Sequence, residues 1–327
     1  MLAVKRLLSV ALAMAAVLAG VAASEGVLRV AGYRYSPLKI GSNVSSDWRE
    51  QHAFHDQYLV YDPVLIWRPL SSQFSPFNPQ GFRGAPIDAG KTGGHRIIAL
   101  GDSNTFGWTV DDGANWPAQL QGLYDAAGPG TEVVNAGVWG YTSFQGLRRF
   151  NEIVRFSPDV VLVSFGGNDA HQVTVPDAEY VRRHDRIERV TSLTARLRLA
   201  QLAVAAWDRV GALGGADGPL VPRVSLDEYA AHLREIVRGG RSHGIRVVLL
   251  TRPFTGSSSD PASWKTYAPA YNSATEAVAR SEGVEAIDVY GAFLDHPEYF
   301  DDESHFGVEG NRAMARLTYA RLAGGVP

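Results

Sequence analysis

Five short runs rich in valine and isoleucine, separated by stretches with helical spacing, constrain this chain most. They are Arg96–Gly101, Glu132–Asn135, Asp159–Phe165, Arg246–Thr251 and Val284–Asp288. None shows the apolar–polar alternation of a strand that faces water on one side. Continuous apolar strands are buried on both faces, as in a parallel sheet. Helical patterns lie between them: Trp116–Tyr124 with Pro117 in its opening turn, Phe144–Phe156, Tyr267 to Ser281, and Glu309–Leu322. A further helix opens at the capping box Ser225-Leu-Asp-Glu228 and runs to Ser242. Strand alternating with helix implies a doubly wound, three-layer α/β/α domain with right-handed crossovers. Ligands of such sheets bind beyond the carboxyl ends of the strands.

Three segments lie outside that rhythm. Residues 24–94 carry many aromatics and prolines, among them Trp67, Pro69, Phe77 and Phe82. So many aromatics argue against disorder and for short strands and turns packed on a core domain of 95–323. Residues 171–224 hold a helical stripe with Leu197, Ala200 and Val204, an insertion that either covers the core or forms a lid. Residues 1–23 begin with Lys5 and Arg6, continue as the apolar run 7–23 and end in Val21-Ala-Ala23. That is the layout of a signal peptide, or of a retained membrane anchor through 7–23; either way the remainder is exported.

Composition excludes several classes of function. The chain has no cysteine, which removes disulfides, thiolate nucleophiles and Cys-ligated zinc. Lys plus Arg is 31 against 34 Asp plus Glu, so no basic excess points to nucleic acid. His52, His55 and Asp56 have metal-like spacing but no evident fourth ligand, which favours a surface or packing role, and the chain has neither a P-loop nor a dinucleotide G-x-G-x-x-G, so no metal and no cofactor is expected. Nothing in the sequence specifies an oligomeric state.

Chemistry gathers at the ends of the apolar runs. Ser103, in Gly101-Asp-Ser-Asn104, follows the first, where a helix can begin and backbone N–H groups stand unpaired. A serine hydroxyl needs a base to attack at neutral pH. His305, in Asp302-Glu-Ser-His305, can be that base, with Asp302 orienting its ring. Asn168, in Gly166-Gly-Asn-Asp169, offers an amide donor, and the loop Asn135–Thr142 carries glycines that let a backbone N–H approach closely.

Taken in order, these four blocks resemble the SGNH (GDSL-type) hydrolase family over 95–323, excluding 171–224. Asn104 departs from the leucine that many relatives have. The resemblance implies a flavodoxin-like sheet of about five parallel strands. It also implies a triad of Ser103, Asp302 and His305, and an oxyanion hole of Ser103, Gly140 (rather than Gly137) and Asn168. It implies an acyl-enzyme mechanism on a carboxylic ester: an acetyl ester of a cell-surface carbohydrate, or an acyl lipid. The alternatives are an O-acyltransferase using a sugar hydroxyl and a catalytically silent polysaccharide-binding module. Trp139, Tyr141, His171 and Arg252 are candidate substrate-binding residues; packing is the competing role for the aromatics and an ion pair for Arg252.

Overall fold

The computed structural model describes residues 2–33, 58–91, 94–182, 197–215 and 219–323. Its contacts divide the chain into Met1–Pro37 with Arg182–Gly218, and Leu38–Val181 with Pro219–Pro327. His52, His55 and Asp56 lie outside the described residues.

The smaller unit holds α1 (Leu2–Val30) and α5 (Arg198–Gly215), with helices numbered along the chain. The Glu25 carboxylate accepts hydrogen bonds from the Arg198 and Leu199 N–H groups, each at 3.0 Å, capping the first turn of α5. Helix α1 continues past Ala23, and Leu8–Val30 is long and apolar enough to cross a membrane.

In the larger unit the strands β3 (His95–Gly101), β4 (Thr131–Asn135), β5 (Val160–Ser164), β8 (Arg246–Leu250) and β9 (Ala286–Ile287) form one sheet. Its order is β4-β3-β5-β8-β9 and every pairing is parallel. This is the flavodoxin-like order, in which the chain reverses direction across the sheet beside its first strand. Successive strand residues alternate between two cores. Ile98, Leu100, Val161, Val163, Val247 and Leu249 join one apolar cluster. Ile97, Ala99, Val160, Leu162, Val248 and Leu250 join the other. Helices α4 (Ser143–Ile153), α6 (Leu226–Ser242) and α7 (Ala268–Glu282) cover the first face. Helices α3 (Trp116–Ala127), α8 (Val289–Phe293) and α9 (Val308–Ala323) cover the second. The chain is therefore a three-layer α/β/α protein.

The aromatic segment before the sheet adds to the first core. Strands β1 (Leu59–Asp62) and β2 (Ile66–Pro69) form an antiparallel hairpin, and Trp67, Phe77 and Phe82 are buried in that cluster. Arg83 donates to the Phe106 and Gly107 carbonyls at 2.7 Å and to the Val110 carbonyl at 2.8 Å, satisfying acceptors just past Ser103-Asn-Thr. A two-stranded pair, β6 (Gln172–Val173) with β7 (Val221–Pro222), joins the two ends of the inserted segment.

Candidate active site

The first site element is a helix of one turn, α2 (Ser103–Phe106), directly after β3. Asp102 caps it, its Oδ1 accepting from the Asn104 N–H at 2.9 Å. Ser103 is thus the first helical residue, whose N–H has no acceptor within the helix. Gly137, in the loop after β4, lies where a Cβ would strike the backbone of Phe106. Its hydrogen atom lets that loop close on α2. Gly140, three residues on, has φ 76°, a left-handed conformation suited to glycine.

At the far end of the chain, Asp302 Oδ1 accepts from the Ser304 and His305 N–H groups, each at 2.8 Å. This local turn is what an aspartate favours three residues ahead of its partner. Its Oδ2 lies 2.6 Å from His305 Nδ1. That contact sets the tautomer with the proton on Nδ1, and leaves Nε2 as an acceptor 2.8 Å from Ser103 Oγ. Partial burial works against the charge on Asp302. The His305 hydrogen bond, the ring's charge in its protonated form and the two N–H groups outweigh burial and hold the carboxyl well below its ordinary range. Asp301, the neighbouring carboxylate, instead gives its N–H to the His305 carbonyl at 2.9 Å.

Asn168, in the turn after β5, donates from Nδ2 to the Tyr141 carbonyl at 3.0 Å, joining the third loop to the second. Asp169 anchors that turn, accepting from Ser143 N at 2.8 Å and from Gly166 N at 3.1 Å. Burial pushes its carboxyl up to about 7, against the pull of those hydrogen bonds and of Arg223. Arg223 grips Asp177 with two nitrogens at 3.0 Å and donates to the Gly140 carbonyl at 2.9 Å. It therefore holds the peptide on the far side of Gly140 from a buried ion pair.

A family model for the GDSL-like lipase/acylhydrolases matches residues 99–313, well over half of the chain. The chain belongs to the GDSL-like lipase/acylhydrolase family. Thioesterase 1/protease 1/lysophospholipase L1 of Escherichia coli K12 is 38% identical over 89 residues, covering 27% of this chain and 38% of that protein. An arylesterase of Vibrio mimicus is 29% identical over 84 residues, covering 25% of this chain and 42% of that protein. The matches thus span about two fifths of these relatives' own length. The crystal structure of a lipase/acylhydrolase from Enterococcus faecalis is 21% identical with a TM-score of 0.49, covering 70% of this chain and 96% of its own.

Within this GDSL-type chain, the four residues read from the sequence as possible substrate contacts meet different surroundings. Trp139 is packed between Phe77 and Phe106, with ring centroids 5.0 and 4.8 Å away, and it touches the half-exposed Trp108 at 5.3 Å. Tyr141 is fully buried and donates its hydroxyl to the Trp67 carbonyl at 2.8 Å, because the β1–β2 hairpin covers it. His171 stacks on Trp264 at 5.7 Å, and burial, helped by Arg223 and Arg252, lowers its ring to about 4. Arg252 takes the ion pair that its sequence position offered as the simpler role. Its side chain is 4% exposed and its Nε lies 2.8 Å from Asp102 Oδ2. A guanidinium engaged in a buried pair is turned inward, so the ion pair takes precedence over contact with substrate. The Asp102–Arg252, Asp169–Ser143 and Asp177–Arg223 links were missed in the sequence, where no local spacing connects their members.

Proposed function

We propose that this chain is an exported serine esterase that works through an acyl-enzyme. The continuous hydrogen-bonded run from Ser103 Oγ through the His305 ring to Asp302, with steps of 2.8 and 2.6 Å, carries the reading. Ser103 Oγ adds to the ester carbonyl carbon while His305 Nε2 takes its proton. The Ser103 N–H, the Gly140 N–H and the Asn168 amide receive the developing oxyanion. The tetrahedral adduct collapses, the alcohol leaves with the proton from His305, and Ser103 stays acylated. Water then adds to the acyl carbon, gives a proton to His305, and the acid leaves as Ser103 Oγ recovers that proton.

Membership of a lipase and acylhydrolase family supports the ester as the bond attacked. Lys5 and Arg6 ahead of the apolar helix support export. Among esters, the reading favours an acetyl group on a cell-surface carbohydrate over an acyl lipid, from the export signal and the aromatic segment 58–91.

The test is a panel of esters of increasing acyl length, including acetylated sugars, assayed with wild type, Ser103→Ala and Asn168→Ala. Ser103→Ala is expected to lose roughly 10⁴–10⁶ in turnover. Asn168→Ala is expected to lose about 10²–10³. Wild-type turnover in Ser103→Ala ends the proposal; preference for long acyl chains moves the substrate to a lipid. Product analysis with an added sugar acceptor tells hydrolysis from acyl transfer.

A further inference from the structure

The chain neighbours of Ser103 are tied to the chain neighbours of His305. On one side, Asp102 Oδ2 accepts from Arg252 Nε at 2.8 Å, and a second Arg252 nitrogen donates to the Ser304 carbonyl at 2.8 Å. On the other side, Asn104 Oδ1 accepts from the Phe306 N–H at 3.2 Å. Residues 102 and 104 flank the nucleophile; residues 304 and 306 flank the base. Arg252 is itself fixed. It lies two residues past the end of β8, and its N–H and carbonyl bond the Asn272 side chain at 2.7 and 3.0 Å.

Ser103 and His305 stand 202 positions apart in the chain, so their 2.8 Å separation depends on how two loops are held together. We infer that the Asp102–Arg252 pair and Asn104 form a two-sided brace that sets this separation, which makes Arg252 and Asn104 positioning residues. The inference rests on the serine-esterase reading above. A buried ion pair adds little net stability, because desolvating both charges offsets their attraction. What it supplies here is direction. The planar guanidinium can reach Asp102 and Ser304 at once, which a lysine ammonium on its flexible stem does not reproduce. Asn104 does for Phe306 what leucine cannot, since leucine has no acceptor. The brace leaves the serine and histidine already in contact before substrate arrives, so the attacking pair needs no assembly on binding.

The test compares full-length wild type, Arg252→Lys, Asn104→Leu, the double variant and Ser103→Ala. Turnover of p-nitrophenyl acetate, the rate of Ser103 labelling by a fluorophosphonate, and the melting temperature are measured for each. Each single variant is expected to lose about 10-fold in kcat and the double variant ~100-fold, with KM within about twofold, because misplacing reacting groups costs rate rather than binding. Labelling is expected to slow in step with kcat while the folded fraction stays at the wild-type level. The brace is overturned if both single variants turn over and label like wild type. It is also overturned if their losses only track unfolding, or if Arg252→Lys raises KM at unchanged kcat, which assigns Arg252 a substrate contact. Should Arg252→Lys fail to fold, Asn104→Leu carries the same test from the other side. Wild-type activity in Ser103→Ala sinks the esterase reading itself, a result distinct from failure of the brace.

Discussion

Asp169 and His171 stand two residues apart and respond to pH in opposite senses. Burial raises the Asp169 carboxyl to about 7, so the folded protein holds a proton there that the unfolded chain has released. Its stabilising contribution is complete below the ordinary carboxylate range and is lost as pH rises towards 7. Burial lowers the His171 ring to about 4, so its contribution is present above its ordinary value and is lost as pH falls towards 4. Comparing Asp169→Asn with wild type isolates the first effect. The variant is expected to gain stability relative to wild type as pH rises from 4 to 8, by roughly 1–4 kcal/mol. Urea midpoints at both ends of that range measure it, and a flat difference refutes the linkage. At the triad, Asp302→Asn no longer fixes the proton on His305 Nδ1. It is expected to lower kcat by about 10²–10⁴ while leaving the fold intact, read by steady-state turnover of p-nitrophenyl acetate.

Among the elements, the aromatic segment before the sheet contributes buried rings to the first core. Phe82 is fully buried and meets Phe156 edge-on, with ring centroids 5.1 Å apart. Phe82→Ala is expected to destabilise the larger unit by about 3–5 kcal/mol, measured by denaturant unfolding. A loss below 1 kcal/mol would place this segment outside the core. The sheet was readable because burial on both faces writes itself as unbroken apolar runs, and β3, β4, β5 and β8 fall within a residue or two of them. Strand β9 is shorter than its run, Val284–Asp288, because only Ala286 and Ile287 pair with β8 at the sheet edge. The Ser225 capping box starts α6 as its spacing implies. Ser103 and His305, which the fold brings to 2.8 Å, each follow a local signal, a strand end and an Asp-x-x-His spacing, and Asn168 follows a glycine turn. Arg252 could not be placed this way, because Asp102 lies 150 positions away and only tertiary folding joins them. For Tyr141 the sequence left pocket lining and packing as alternatives, and it is the hydroxyl bond to the distant Trp67 carbonyl that shows what it packs against.

For the whole molecule, α1 governs location in the proposed reading. At 1.5 Å per residue, the 23 residues Leu8–Val30 extend about 34 Å, enough for a hydrocarbon core of about 30 Å. Alkaline phosphatase fused after residue 323 is expected to be active in cells, and deleting residues 2–30 is expected to abolish that activity. An inactive full-length fusion argues against export. The order in which the core is assembled has a consequence during synthesis. Trp67, Phe77 and Phe82 leave the ribosome well before Phe150 and Phe156, which share their cluster. At ordinary elongation rates the interval is roughly 4–15 s, during which these rings lack part of the surface that covers them in the folded protein. Such a nascent chain offers a greasy handle to a chaperone or to the translocation machinery just when it must stay unfolded. A protease pulse on ribosome-stalled chains should cut near Trp67 when synthesis halts at residue 130, and spare it once residues past 181 have emerged.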